Sequence, residues 1–370
     1  MKRVAVLLAI LAISACLLGV SCGGRKQFDL ATIERFEAAV DRAMATNKVP
    51  GMVVSVSSND RETWTAAKGL ADVAAGEVMK AEDAFRIASI TKTFTATLAL
   101  MLVDEGRIDL DAEAARYLPD LGIPGGVKVE QLLNHTSGIH EYTDTEQFLS
   151  QMSGNPSRVW KPEELVEIGL SQPVYFPPGQ GFHYSNTNYV ILGMIVEKSG
   201  GKVLGDLLEE RILRPLKLEH TELPTERRMP FPYSNGYYDY NDDGNVDRFT
   251  DMLDPSMTWA AGAMISNAKD LRTWAAELAR GDLLKEQTQE LRLQTVKADL
   301  ESLPGGTYGL GIIDYQGYWG HDGAIPGYNS AMFYRPSDGA TVVVLGNSYN
   351  GAWTNAADQT LTGLLEALGE

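Results

Sequence analysis

Phe85-Arg86-Ile87-Ala88-Ser89-Ile90-Thr91-Lys92-Thr93-Phe94 sets a serine three residues before a lysine, at the mouth of an apolar run that continues to Val103. Phe94, Leu98, Met101 and Leu102 fall at helical spacing. The positions between them are mostly Thr and Ala, so this helix is expected to be buried nearly all round. Positions i and i+3 share a helix face, which brings the Lys92 ammonium beside the Ser89 hydroxyl. A hydroxyl is a weak nucleophile until a base takes its proton. A desolvated lysine can be that base, and the positive end of a helix favours the negative charge that develops. Ser89 is the candidate nucleophile; on the local residues alone an ordinary N-cap serine fits as well.

The same Ser-x-x-Lys spacing recurs at Ser199–Lys202 and Ser266–Lys269. The first reads as the glycine C-cap of an apolar helix, the second as the first turn of the next one. Only Ser89 opens a helix expected to be fully buried. Gly19-Val20-Ser21-Cys22-Gly23 matches the Gly-x-Ser-x-Gly elbow but lacks its strand-turn-helix setting, and no other copy exists in the chain.

The 370 residues carry 44% hydrophobic and 22% charged side chains, the composition of a globular protein with a sizeable core. Net charge is −17 with no basic patch, which argues against a nucleic-acid partner. Met1-Lys2-Arg3 is a basic start, residues 4–20 are apolar, and Ser21-Cys22-Gly23-Gly24 follows. That pattern reads as an export signal over residues 1–22, too short and too early for a transmembrane span. Both cysteines, Cys16 and Cys22, lie within it. A cysteine at the cleavage point resembles a bacterial lipoprotein signal, so the expectation is a periplasmic or cell-surface protein held to the membrane through lipid on Cys22. Cys16 and plain cleavage without lipid are the alternatives.

Helices are expected at residues 28–46, 128–134, 162–171, 189–199, 202–212, 268–280 and 356–368. Residues 51–58 and 63–69 read as a β-hairpin, and 308–313, 328–334 and 340–346 as strands. Strands at both ends with helices between them predict an α/β (α+β) fold, in which an antiparallel sheet from the N- and C-terminal segments is flanked by helices. The expected domain spans 23–370, its α/β part about 28–110 and 290–370 and its inserted, mainly helical part about 111–289.

Two more short motifs complete a constellation. Tyr184-Ser185-Asn186 sits on a turn before a helix, and His321-Asp322-Gly323 is expected on a turn before a strand. With Ser89-x-x-Lys92, their order resembles the serine β-lactamase and penicillin-binding protein family, nearest the class C β-lactamase and D-alanyl-D-alanine carboxypeptidase branch. Leu132-Leu133-Asn134-His135-Thr136-Ser137-Gly138-Ile139, Phe176-Pro177-Pro178-Gly179 and Ala261-Gly262-Ala263-Met264-Ile265-Ser266 are similar to that branch too. The resemblance runs from about residue 28 to the C-terminus. Tyr233-Ser234-Asn235 repeats the second motif in a loop after the wrong element.

The resemblance implies a β-lactamase/transpeptidase-like fold and acyl transfer through an acyl-enzyme on Ser89. Lys92 and Tyr184 would handle the proton, with either as the base. Asn186 would hold a substrate amide or the Lys92 ammonium. His321 and Gly323 would line the substrate strand, and the N–H groups of Ser89 and Ala324 would bind the oxyanion. The implied activity is that of a D-alanyl-D-alanine carboxypeptidase or esterase acting on peptide, amide or ester bonds, without a cofactor. The partner is a small acyl or peptide substrate such as a peptidoglycan stem peptide or a β-lactam. A class C-like β-lactamase and a catalytically idle wall-binding protein are the alternatives. Asp322 departs from the branch, which often has Ser or Thr there to bind a substrate carboxylate. An aspartate would repel that carboxylate unless paired or turned away.

Of the histidines, His135 reads as a turn support, and His140, His183 and His220 lie in no recognisable constellation. No metal site is expected. Asp239, Asn241, Asp243 and Asp247 have calcium-loop spacing with Gly244 at the sixth position, but the closing acid is replaced by Thr250, so a solvated acidic turn is the reading adopted.

Overall fold

Two apolar runs from opposite ends of the chain, Gly51–Ser57 and Ala340–Gly346, pair as neighbouring strands, with Val53 opposite Leu345 and Val56 opposite Val342. The computed structural model describes residues 25–229, 232–239, 247–349 and 356–369. In chain order these hold α1 (Leu30–Asn47), β1 (Gly51–Ser57), β2 (Trp64–Asp72), β3 (Glu77–Val78), β4 (Phe85–Arg86) and α2 (Thr91–Asp104), the last entered through a 3-10 turn at Ala88–Ile90. Next come α3 (Val129–Leu133), α4 (Glu146–Gly154), α5 (Pro162–Leu170), α6 (Asn186–Gly200), α7 (Leu204–Leu208) and α8 (Arg214–Leu216). The short strands β5 (Tyr237–Tyr238), β6 (Asp247–Arg248) and β7 (Ile265–Ser266) precede α9 (Ala268–Arg280) and α10 (Glu286–Arg292). The chain closes with β8 (Val296–Lys297), β9 (Thr307–Tyr308), β10 (Ile313–Tyr315), β11 (Tyr318–Ile325), β12 (Tyr328–Arg335), β13 (Ala340–Gly346) and α11 (Ala356–Gly369).

The main sheet runs β3-β2-β1-β13-β12-β11-β10-β9-β8, antiparallel throughout. Successive side chains alternate between its faces. Met52, Val54, Val56, Phe333, Val342 and Val344 pack beneath α1 and α11, against Phe36, Val40, Leu361 and Leu364. Val53, Met332, Val343 and Leu345 turn the other way, into the larger core that α2, α6 and α9 share. Covering on both faces buries every residue of β13 and all of β1 from Gly51 to Val56.

The helix that opens after Ser89 is buried at every position from Thr91 to Leu100. Its threonines survive burial because their hydroxyls bond to main-chain carbonyls: Thr93 to Ile90, Thr95 to Ala260 and Thr97 to Thr93, each at 2.7 Å. Phe94 stacks on Trp274 of α9 at 4.1 Å, and the Trp274 indole N–H donates to Thr93 Oγ1 at 2.7 Å. The helix is thus clamped to α9, which lies on the sheet.

Three sequence expectations differ from the structure. His321-Asp322-Gly323 lies inside β11, paired to β12 from Trp319 to Ile325, and not on a turn before a strand. Residues 308–313 are two strand ends, β9 and β10, separated where Gly311 takes a φ of 76° against Ala96 and the Tyr189 hydroxyl. The helix expected over 202–212 starts at Leu204, after Gly201 closes α6 in the left-handed region, and passes through a π turn at Glu209–Leu213 into α8. Of the calcium-loop residues, Asn241 and Asp243 lie outside the described residues, as do Cys16 and Cys22. No helix of the described residues is long and apolar enough to cross a membrane.

Candidate active site

Ser89 occupies the 3-10 turn ahead of α2. The residue before it, Ala88, has a φ of 46°, a left-handed conformation that costs a non-glycine residue about 1–3 kcal/mol and clusters at functional sites. One turn on, the Lys92 side chain is fully buried. Its Nζ lies 3.0 Å from Ser89 Oγ, 2.6 Å from Asn186 Oδ1 at the start of α6, and 2.8 Å from the Ala261 carbonyl. Burial pulls the Lys92 amine down to about 7, against the opposing charges of Glu141 and Asp322.

The Tyr184 ring sits 4.7 Å from Lys92 Nζ. Its hydroxyl is buried beside the Ser89 hydroxyl, with no well-aligned hydrogen-bond partner among the described residues. Burial pushes that phenol well above its ordinary value, and the Ser89 hydroxyl only partly offsets the shift. Behind Tyr184, the His135 ring packs at 4.3 Å. His135 itself has a φ of 59° and accepts the Ser185 amide on Nδ1 at 3.1 Å. Burial and the nearby Lys92 charge hold its imidazole well below the usual histidine range. It supports the turn, as expected.

On the opposite wall, β11 passes directly behind the nucleophile. A Cβ at Gly323 would lie 2.5 Å from the Ile87 carbonyl and 2.9 Å from the Ser89 amide, so only glycine allows this approach. Ser330 Oγ, opposite Gly323 on β12, donates to the Ile87 carbonyl at 2.9 Å and ties the strand pair to the turn. Ala324 follows on the same strand and is exposed. His321 is buried, its Nε2 2.9 Å from the Tyr308 hydroxyl and its Nδ1 donating to the Asp322 carbonyl at 2.6 Å. Burial works to raise the Asp322 carboxyl, but the His321 ring and the Ser302 hydroxyl outweigh it and leave the group below its ordinary value. Asp322 is therefore an ionised, paired carboxylate whose charge reaches Lys92 and Tyr184.

Four segments far apart in sequence thus meet at one point, with a buried amine next to a serine hydroxyl. A profile of the Beta-lactamase family matches residues 36–367. The chain belongs to the beta-lactamase family. Like relatives in that family, it is a serine hydrolase. A D-stereospecific amidohydrolase from Streptomyces sp. superimposes with a TM-score of 0.80 at 34% identity, over 90% of this chain and 97% of that one. The D-amino acid amidase from Ochrobactrum anthropi SV3, in its complex with L-phenylalanine amide, gives 0.81 at 29% identity, over 92% and 99%. The D-aminopeptidase of Brucella ovis is 28% identical over 348 residues, which make up 92% of this chain and 63% of the longer relative.

Within the beta-lactamase fold the structure gathers Ser89, Lys92, Tyr184, Asn186 and Gly323, with His321 and Ala324 on the same strand as Gly323. His140 and His183 stand aside from this group, stacked on the two sides of Tyr175 at 4.4 and 3.6 Å. His220 donates its amide to Asp270. Two features escaped the sequence. Tyr308 backs His321, and Glu141, a carboxylate only 4% exposed, accepts the amides of Asn186 and Thr143. No local pattern marks either residue. Their one signal is nearness to the third motif and to His135-Thr136-Ser137-Gly138.

Proposed function

We propose that this serine hydrolase cleaves small amides and short peptides of the D-amino acyl type, through an acyl-enzyme on Ser89. The observation that carries the chemistry is the Lys92 amine, 3.0 Å from Ser89 Oγ and lowered to about 7. With two fixed acceptors, Asn186 Oδ1 and the Ala261 carbonyl, a neutral amine spends both its protons there and leaves its lone pair facing the serine. Lys92 is therefore the base. Tyr184, pushed far up by burial, stays a phenol and acts as a relay, giving its proton to the leaving nitrogen as it takes the one held on Lys92.

The Ser89 oxygen bonds the carbonyl carbon as its proton passes to Lys92. The oxyanion rests on the amides of Ser89 and Ala324, the C–N bond breaks, and the amine departs with the transferred proton. Water then hydrolyses the ester and returns the proton to Ser89. The substrate reading is supported by likeness to a D-stereospecific amidohydrolase and a D-amino acid amidase.

Turnover of D-alanine amide and of an N-acylated D-alanyl-D-alanine, whose amine is blocked and whose carboxylate is free, tests this reading. The expected result is faster hydrolysis of the amide, abolished in Ser89→Ala. Preference for the blocked dipeptide would overturn the D-amino acyl reading in favour of a carboxypeptidase.

A further inference from the structure

Helix α6 begins with Asn186, the residue that takes a Lys92 proton, yet its N-cap Ser185 makes no side-chain capping bond. The first of its orphaned amides, that of Asn186, is met instead by Glu141, 45 residues upstream. One Glu141 oxygen accepts the Asn186 amide and the other accepts the Thr143 amide at 2.9 Å. The Glu141 amide in turn donates to the Tyr175 hydroxyl at 3.3 Å, which fixes the loop from both sides. A negative side chain at the positive end of a 15-residue helix is favourably placed. This one is also buried, which is costly for a charge held by hydrogen bonds alone.

We propose that Glu141 is a positioning residue for proton transfer, holding Asn186 in place from behind and supplying the counter-charge that keeps the Lys92 ammonium within reach of neutral pH. The inference rests on Lys92 acting as the base. The charged and titratable groups facing Lys92 are Glu141 and Asp322, the neutral His135 ring, and the rings of Tyr184 and Tyr189 at 4.7 and 5.6 Å. Besides Lys92, the groups around Glu141 are Asp144 and the phenols of Tyr142, Tyr175 and Tyr184, none of them a cation. Burial raises the Glu141 carboxyl and the two amide hydrogen bonds pull it back. Without Glu141, Asp322 is the one negative charge left to offset the desolvation of Lys92.

The test uses a fluorophosphonate probe, which needs no knowledge of the natural substrate. The Ser89 oxygen bonds phosphorus, fluoride leaves, and the hydroxyl proton passes to Lys92. Labelling rate against pH should rise through an apparent value near 7 in the wild type. In Glu141→Gln the rise should move to lower pH by about 1 unit, because the ammonium has lost its partner, while the plateau rate falls. Glu141→Asp, which draws the charge back by one methylene, should move it the same way by less. A merely structural glutamate would lower the plateau in both variants and leave the rise where it was; that result overturns the proposal. Failure of the wild type to label at all would instead overturn the reading of Ser89 and Lys92 on which the proposal stands.

Discussion

His135 is buried, neutral and built into the wall behind Tyr184, so it ties the site to the stability of the fold. Its protonation is unfavourable in the folded chain, because burial and Lys92 hold its imidazole well below 6.5. The unfolded chain takes up that proton near 6.5. Below that value the unfolded state binds more protons, so the His135 contribution is whole above pH 6.5 and is lost as pH falls towards the folded value. The slope is at most about 1.4 kcal/mol per pH unit. Urea unfolding at pH 7 and pH 5 should show a smaller loss in His135→Asn than in the wild type, asparagine being tolerated at the left-handed φ. Equal losses would remove His135 as the source. At this scale the nearness of Ser89 and Lys92 was legible because i,i+3 spacing at the mouth of a buried helix, with the two later motifs, sets this pair apart from the other Ser-x-x-Lys pairs. Glu141 was not: a glutamate in a loop reads as a solvated charge until the start of α6 is seen to close over it.

At the scale of elements, the turn before α2 and the strand β11 make one device. The left-handed Ala88 leads into Ser89, and Gly323 lets β11 pass close to the Ser89 amide, the approach that the proposed oxyanion site needs. Gly323→Ala should leave the sheet paired but force the turn away from the strand. Loss of one oxyanion donor costs about 10²–10³ in rate, so kcat/KM should fall by about that factor with little change in Tm. An active Gly323→Ala enzyme would show that the approach is not needed. The strand itself was illegible because Gly320, His321, Asp322 and Gly323 have poor strand propensity; pairing with Phe333, Met332, Ala331 and Ser330 of β12 overrides it. Helix α4 was missed for a similar reason, since only Phe148 of its nine residues is buried.

At the scale of the whole molecule, the sheet joins segments nearly three hundred residues apart, and the terminal helices α1 and α11 seal its outer face. The β-rich runs at the two ends of the chain, with helices between them, made this legible. The packing of the inserted helices was not, because their apolar faces do not say which neighbour they meet. Leu361 of α11 is fully buried in that seal. Leu361→Ala should cost about 2–5 kcal/mol of unfolding free energy, read by urea titration, while the labelling rate of folded protein stays unchanged because the site lies across the sheet. The central claim is that Ser89 carries the acyl group. Intact-mass analysis of acid-quenched protein, mixed with a p-nitrophenyl ester, tests it most directly. The account predicts a single acyl adduct that peptide mapping places on Ser89 and that is absent from Ser89→Ala. An adduct on another residue, or undiminished turnover by Ser89→Ala, would contradict it.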